Sequence, residues 1–203
     1  MTEKKYHHGD LKNALIKAGI EILSTEGVGG LSLRKVAKLA GVSHAAPYAH
    51  FTDKQALIAA ISTEGHRNLY NRLSQTIEDY KDNPHKQLIE TAWGYIQFAQ
   101  EEHDCFQIMF SGVLEQEKDY PEFVKISQET FQLVVGVVEN CINAGILKEE
   151  STMLSAAVVW GQMHGLISLI QSGQISHIVL DEYPIRKLMI RALNQITLVQ
   201  YTE

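Results

Sequence analysis

Residues 32–51 read SLRKVAKLAGVSHAAPYAHF and have the spacing of two short helices joined by a tight turn. The apolar positions of the first helix recur at i, i+3, i+4 and i+7, namely Leu33, Val36, Ala37 and Ala40. Ser32 can cap the start of this helix, and Gly41 stands where a left-handed backbone would end it. Ser43 can cap a second helix, which could therefore begin within three residues. The pattern predicts a helix-turn-helix motif.

The segments on both sides of this motif also have helical spacing. Upstream, a helix is expected to begin near Asp10 and to end in the glycine-rich segment 27–30. Downstream, Thr52-Asp53-Lys54-Gln55 has the form of a capping box, which predicts a new helix starting at about Thr52. The sequence therefore predicts a three-helix unit that leads into a longer fourth helix.

These residues resemble the tetracycline-repressor (TetR) family of bacterial transcription regulators. The family pattern is close to S-L-R-x-[IV]-A-x-x-A-G-V-S-x-x-x-x-Y-x-H-F-x-x-K-x-x-L, which residues 32–57 match without a gap. The opening YHHGDL, residues 6–11, is similar to one subset of that family. WGQMHGL, residues 160–166, is similar to a Trp-His-Gly motif in the C-terminal domain of the same subset.

The resemblance implies an all-α fold of about nine helices. Residues 1–55 would form a helix-turn-helix DNA-binding domain, and residues 56–203 a helical domain for ligand sensing and dimerisation. The implied function is that of a homodimeric DNA-binding regulator without enzymatic activity. The expected regulator is a repressor that is released from a palindromic double-stranded operator by a small-molecule inducer, whose identity the sequence does not reveal.

The resemblance also implies a set of DNA contacts. His44, Ala45 and Ala46 would begin the recognition helix, which has no Arg, Lys, Asn or Gln, so apolar contact with thymine methyl groups is expected. Pro47 fits only the first turn of a helix, so that helix could begin one residue later. Tyr48, His50 and Lys54 would contact phosphates; the alternative for Tyr48 and His50 is packing of a small helical hairpin. The candidate set is Ser32, Lys35, Ser43, His44, Ala45, Ala46, Tyr48, His50 and Lys54.

The charge distribution agrees with a DNA-binding head. The whole chain has a net charge of −6. Residues 1–60 carry eight Lys and Arg against five Asp and Glu, whereas the remainder carries ten against nineteen. A basic head on an acidic body would present only the head to phosphates.

Composition excludes several other classes of protein. The two cysteines, Cys105 and Cys141, have neither metal-binding spacing nor a disulfide framework, and we expect neither a metal nor a cofactor. Lys4 and Lys5 lead into an amphipathic helix rather than a signal peptide. We also expect no apolar run near the ~18 residues that span a bilayer. The expected protein is cytoplasmic and reduced, with no membrane partner.

The C-terminal part shows two apolar helical segments, over residues 151–172 and 183–200. The first is apolar nearly all round, which is typical of a helix buried on several sides. Both are expected to pair with their counterparts in a second chain as a four-helix interface. The candidate interface residues are Trp160, Gly161, Gly165, Leu188, Ala192 and Ile196. The alternative for the residues of the Trp-His-Gly motif is contact with a ligand.

Aromatic and methionine side chains of the segments 92–110, 123–142 and 157–167 could line an apolar ligand cavity. Alternatively, these side chains could simply fill the hydrophobic core. The candidates, with two histidines as polar groups, are Trp93, Tyr95, Phe98, His103, Phe106, Met109, Phe110, Phe131, Met163 and His164. The surplus of carboxylates in this part indicates a neutral or cationic ligand.

Two other functions remain open from the sequence. The first is a DNA-binding regulator that is controlled by a protein partner, or that is constitutive. The second, an all-helical enzyme, is disfavoured because no paired carboxylates, nucleotide-binding loop or Ser/His constellation stands out.

Overall fold

The structure, a computed structural model, describes residues 8–148 and 151–199. Over these residues the chain forms nine α-helices and two 3-10 turns, with one isolated antiparallel bridge and no strand. The predicted all-α fold is confirmed. Tyr6 and His7, which belong to the YHHGDL motif, lie outside the described residues.

The helices follow one another with short connections. They are α1 His8–Gly30, α2 Leu33–Leu39, α3 Lys54–Asp79, α4 Pro84–Glu101, α5 His103–Phe110, α6 Pro121–Asn143, α7 Thr152–Gln171, α8 His177–Glu182 and α9 Ile185–Leu193. The 3-10 turns are Ala46–Ala49 and Glu117–Asp119.

The chain divides into two compact units that do not follow the sequence order. The first unit comprises residues up to 67 and residues 102–127, and the second comprises residues 68–101 and residues from 128 onward. Helix α3 runs without interruption past residue 55. The boundary between the DNA-binding domain and the ligand-sensing domain, expected between residues 55 and 56, therefore stays a prediction.

The core of the first unit is built from α1, α2 and the beginning of α3. Leu15, Val36 and Leu57 are fully buried there. Gly19 of α1 allows a close approach, because a Cβ at this position would lie 2.8 Å from the Cδ1 atom of Ile61. Helix α1 bends at Gly27, whose φ of 67° is left-handed, so the glycine-rich segment interrupts the helix as expected.

A buried histidine completes this core. His66 of α3 is 6% exposed, and its ring centroid lies 5.6 Å from those of both Phe110 and Phe123. Burial among these side chains lowers the pKa of His66 to about 4, so the ring is neutral at physiological pH. The imidazole therefore acts as an aromatic packing residue between α3, α5 and α6.

The second unit packs α4, α7 and α9 against one another. Ile96, Ile167 and Met189 are completely buried. The buried amide of Gln87 donates to the carbonyl oxygen of Ile77 at 2.9 Å, and it accepts from the side chain of Asn140, also at 2.9 Å. The core of this unit therefore includes a polar group whose hydrogen bonds are made inside the chain.

The last helix is shorter than the predicted segment 183–200. Helix α9 ends at Leu193, and Ile196, predicted to lie on it, falls in the following turn. The reason is a tertiary contact: Thr197 pairs with Leu147 in an antiparallel bridge, and the N–H of Leu198 donates to the carbonyl oxygen of Ile146 at 2.7 Å. A β-branched residue such as Thr197 gains more from this pairing than from a frayed helix end.

Helix α7 contradicts the expectation that no apolar run approaches membrane-spanning length. Its 20 residues are long and apolar enough to cross a bilayer by length and composition alone, and 22% of its most apolar stretch is buried inside the chain. The core helix of a soluble protein can have the same length and composition. The buried face comprises Ala156, Val159, Met163 and Ile167. The expectation that α7 is buried on several sides is also wrong for the single chain, since Leu154 is 59% exposed.

Candidate nucleic-acid interface and ligand site

The first half of the helix-turn-helix has the predicted geometry. Ser32 is extended and its hydroxyl accepts from the N–H of Lys35 at 3.3 Å, so the expected cap of α2 is confirmed. Gly41 has a φ of 69°. The N–H of Val42 beyond it donates to the carbonyl oxygen of Ala37 at 3.0 Å, which ends α2 as a left-handed glycine turn.

The second half differs from the predicted α-helix. A 3-10 turn over Ala46–Ala49 replaces it, and no side chain caps this turn. The prediction that the Ser43 side chain caps a helix is therefore wrong; instead its carbonyl oxygen accepts from the N–H of Ala46 at 3.0 Å. Pro47 explains the difference, since it has no N–H and its ring is tolerated only in the first turn.

The start of α3 also differs from the prediction. Thr52 was expected to cap it, but the helix begins at Lys54. The carboxylate of Asp53 accepts from the N–H of Ala56 at 2.8 Å and is the actual cap. The carboxylate is a better partner than a hydroxyl for the N–H groups at the positive end of the helix.

The predicted DNA-contact side chains of this segment lie mostly on the surface. The predicted base readers His44 and Ala45 are exposed and Ala46 is half-buried, while the predicted phosphate contact Tyr48 is 61% exposed. Pro47 is buried. The segment from Ser43 to Tyr48 therefore presents polar and apolar side chains to solvent, while its proline anchors it. The DNA-contact roles of these residues stay predictions.

The cations of the motif are not equivalent. Lys35 forms an ion pair with Glu26 and remains half exposed. The ammonium of Lys54 instead donates to the carbonyl oxygen of Val28 at 2.5 Å and is half-buried. Lys54 therefore holds the end of α1 in this structure, and a phosphate contact would compete with that bond. His50 is also half-buried, whereas Ser32 is bonded within the cap.

Sequence reasoning missed two further cations on α2. Arg34 and Lys38 are exposed, and they lie with Lys35 at i, i+1 and i+4, which places all three along one side of the helix. The signal for them in the sequence is the group of three basic residues within positions 34–38. This side of α2 is a second candidate surface for phosphates.

The second unit contains a small apolar cavity. It measures about 30 Å³ and lies among α3, α4, α6 and α7, with Leu73, Leu88, Val134, Val137, Tyr95 and Met163 in its lining. No charged side chain contributes to it. A drug-sized ligand needs a cavity of roughly 300 Å³ or more. In this conformation the cavity could hold about one water molecule.

The two rings of the Trp-His-Gly motif meet the hydroxyl of Tyr95 next to this cavity. The hydroxyl lies 2.8 Å from Nδ1 of His164, and Nε1 of Trp160 donates to it at 3.2 Å. Burial raises the pKa of Tyr95 and lowers the pKa of His164, so the cluster is uncharged at neutral pH. Phe131 packs edge-on against Trp160 with ring centroids 5.9 Å apart.

Two other ligand candidates in the second unit have separate partners. Trp93 lies under the guanidinium of Arg186 at 5.3 Å, and Phe98 is buried with Arg72 6.0 Å from its ring. Their neighbours are therefore cationic, unlike those of the Tyr95 cluster.

The remaining candidates belong to the first unit. His103 is exposed at the start of α5, and Phe106 and Phe110 pack together with centroids 4.8 Å apart. Met109 packs closely against Gly65, since a Cβ at Gly65 would lie 2.5 Å from the Sδ atom of Met109. Of the predicted residues, the structure brings Tyr95, Phe131, Met163 and His164 together; the ligand role of every candidate stays a prediction.

The outer face of α7 is apolar and open. Leu154, Val158, Gly161, Gly165 and Leu169 recur at intervals of three or four residues on the side opposite the buried face. Val158 is 45% exposed and Leu169 is 44% exposed. A Cβ at Gly161 or Gly165 would meet nothing within 4 Å. Leu188 and Ala192 of α9 are half-buried, and Trp160 is 37% exposed.

Comparison with protein families covers both parts of the chain. Residues 15–61 match the model of bacterial regulatory proteins of the tetR family, and residues 88–193 match the tetracyclin repressor-like C-terminal domain. The second match alone covers more than half of the chain. The chain belongs to the TetR family. TetR-family proteins are DNA-binding transcription regulators and not enzymes.

Individual relatives differ in how much of the chain they resemble. The tetracycline repressor protein class A of Escherichia coli transposon 1721 is 42% identical over 50 residues, 25% of this chain and 23% of that protein. The uncharacterized HTH-type transcriptional regulator YobS of Bacillus subtilis strain 168 is 24% identical over 80% of each chain. A protein of unknown function from Rhodococcus sp. RHA1 is 29% identical with a TM-score of 0.80, covering 95% of this chain and 96% of that one.

Proposed function

We propose that this TetR-family regulator is a homodimeric, cytoplasmic repressor that leaves a palindromic operator when a small apolar ligand binds its second unit. The observation that carries the proposal is the exposed edge from Ser43 to Tyr48, held by a capped helix and a buried proline. In helix-turn-helix proteins, the segment that follows the first helix and the turn is the one that enters the major groove and contacts base edges. Gel retardation with DNA from the region upstream of the gene tests it, and absence of retardation contradicts it.

The dimer follows from the face of α7 defined by Leu154, Val158, Gly161, Gly165 and Leu169. One helix-turn-helix makes too few contacts to select a site in a genome, whereas a twofold dimer reads two half-sites. An exposed apolar stripe on one helix marks an interaction surface. The two glycines would let a partner helix approach closely, and α9 would add Leu188 and Ala192.

The ligand site would be an enlarged form of the cavity beside Tyr95. Because the lining carries no charge, a neutral apolar ligand fits best, and the cluster of Tyr95 and His164 offers it one polar contact. A ligand that binds only an enlarged state shifts the population toward that state. The change in the second unit would alter the spacing of the two DNA-binding heads.

Replacement of Tyr48 by alanine should weaken binding to every DNA sequence to a similar extent, by about tenfold, because phosphate contacts position a protein without specifying sequence. The side chain is 61% exposed, so thermal stability should not change. Tyr183→Ala, in the second unit, is the matched control and should bind DNA normally. By contrast, His44→Ala should alter the preference between operators. A change of preference in Tyr48→Ala would contradict its assignment.

The ligand proposal predicts a fluorescence response from Trp160. The chain has two tryptophans, so Trp93→Phe leaves Trp160 as the single reporter. Titration with decanol should shift its emission and release the operator, whereas decanoate and decylamine should do so at least about tenfold less, because burying a charge in an apolar cavity is costly. Tyr95→Phe should weaken the response to decanol. Equal responses to all three compounds, or none, would contradict a neutral ligand site here.

The small size of the cavity favours one alternative, in which the regulator answers to a protein partner or acts constitutively. Under this alternative, Trp160 emission and operator affinity stay constant throughout a screen of apolar compounds, while DNA retardation is unaffected.

A further inference from the structure

A cleft of about 390 Å³ opens in the first unit. It lies among α1, α3 and the segment from Asp119 to Phe123. Its volume falls within the range of roughly 300–1,000 Å³ that small-molecule sites occupy. Unlike the cavity of the second unit, it needs no enlargement to admit a ligand.

The floor of this cleft is apolar and buried. Ile16, Phe51, Ala59 and Phe123 line it, and each is at most 6% exposed. The hydroxyl of Thr63 also lines it, but it donates to the carbonyl oxygen of Ala59 at 2.6 Å. The floor therefore offers apolar contact to the body of a ligand.

The rim of the cleft carries an excess of negative charge. Glu64 and Arg67 both line it and pair with each other at 2.5 Å, so their charges largely cancel. Asp119 and Glu122 also line the cleft, and Lys12 is the one other Lys or Arg among its described lining residues. The neighbouring Tyr120 supports this reading, because its pKa is raised by burial and, in addition, by the carboxylates of Asp53 and Asp119.

The cleft also touches the helix-turn-helix. His50 and Phe51 line it, and they follow directly on the 3-10 turn that carries Tyr48. The N–H groups of both residues donate to the carbonyl oxygen of Pro47 at 2.9 Å. A molecule in the cleft would therefore press on the segment that fixes the predicted base-reading edge.

We propose that this cleft binds a small amphipathic cation, whose aromatic or aliphatic body lies on the apolar floor and whose ammonium group faces Asp119 and Glu122. Its occupancy changes the DNA affinity of the helix-turn-helix directly, separately from any ligand of the second unit. Only this last step rests on the DNA-binding function proposed above.

The test is isothermal titration of the full chain with three probes of similar shape and different charge. Phenethylamine should bind with a dissociation constant of about a millimolar, as expected for a ligand of this size, and at least about tenfold more tightly than 2-phenylethanol or phenylacetate. Asp119→Asn/Glu122→Gln should remove most of this preference. Glu115→Gln/Glu117→Gln, with two exposed carboxylates outside the cleft, is the matched control and should leave it unchanged. Ala60→Trp should block all three probes by filling the cleft.

Equal binding of the three probes, or a preference for phenethylamine that survives Asp119→Asn/Glu122→Gln, would overturn the proposal. Operator affinity in saturating phenethylamine gives the second readout, which should change at least about threefold in the wild type and not in Ala60→Trp. An unchanged affinity would overturn the effector role. Failure of the protein to bind any DNA would instead contradict the repressor function, while the binding of phenethylamine would still stand.

Discussion

Replacement of Gly165 by leucine should convert the protein from a dimer into a monomer of 22.8 kDa. Within one chain a Cβ at this position meets nothing within 4 Å, and Gly165 lies on the open face of α7, so we expect the isolated subunit to tolerate the new side chain. In the proposed dimer it would stand between two closely packed copies of α7 and force them apart. Sedimentation equilibrium at micromolar concentration measures the change, and circular dichroism should show unchanged helicity.

The same variant should lose at least about 100-fold in operator affinity, because a monomer forfeits one half-site and its phosphate contacts. Gly136→Leu is the matched control. It also replaces a helical glycine whose Cβ would meet nothing within 4 Å, but it lies on α6. A wild type that is monomeric at micromolar concentration, or a Gly165→Leu variant that remains dimeric, would contradict the interface.

Replacement of Ala37 by leucine should abolish operator binding without dissociating the dimer. Ala37 is completely buried, and its carbonyl oxygen accepts the hydrogen bond from Val42 that closes the turn. Three additional heavy atoms in such a site cost about 1–3 kcal/mol and displace the neighbouring backbone. Since the 3-10 turn follows this contact, the edge from Ser43 to Tyr48 would move.

Fluorescence anisotropy with labelled operator measures this loss, which should reach the level of non-specific binding. Ala144→Leu serves as the control because Ala144 is exposed at the end of α6, and it should bind DNA normally. Normal operator affinity in a folded Ala37→Leu would show that the spacing of α2 and the turn does not determine DNA binding.

Local sequence signals predicted the first half of the helix-turn-helix well. Ser32 and Gly41 act through their own backbone and the next few residues, so their roles can be inferred from neighbouring positions alone. The second half was less predictable. Pro47 indicated that a regular helix starting at Ser43 was strained, but not that a 3-10 turn would replace it.

Contacts between distant residues explain what the sequence could not predict. The end of α9 is set by the pairing of Thr197 with Leu147, which lies 50 positions away in the chain. Likewise Trp160 and His164 share a helix face by spacing alone, but their common partner Tyr95 is 65 and 69 residues distant, respectively. Helical periodicity identified aromatic residues as candidates without showing which of them face one cavity. The cleft of the first unit had no local signal, because its lining comes from three separate segments.

We expect two chains to bind one palindromic operator through their helix-turn-helix motifs. Selection of binding sequences from a random DNA library, followed by native mass spectrometry of the complex, tests it most directly. A twofold dimer should enrich a palindrome whose half-site centres are about one helical turn or a multiple of it apart, with two chains for each palindrome. Enrichment of an asymmetric sequence bound by one chain, or no enrichment at all, would contradict it.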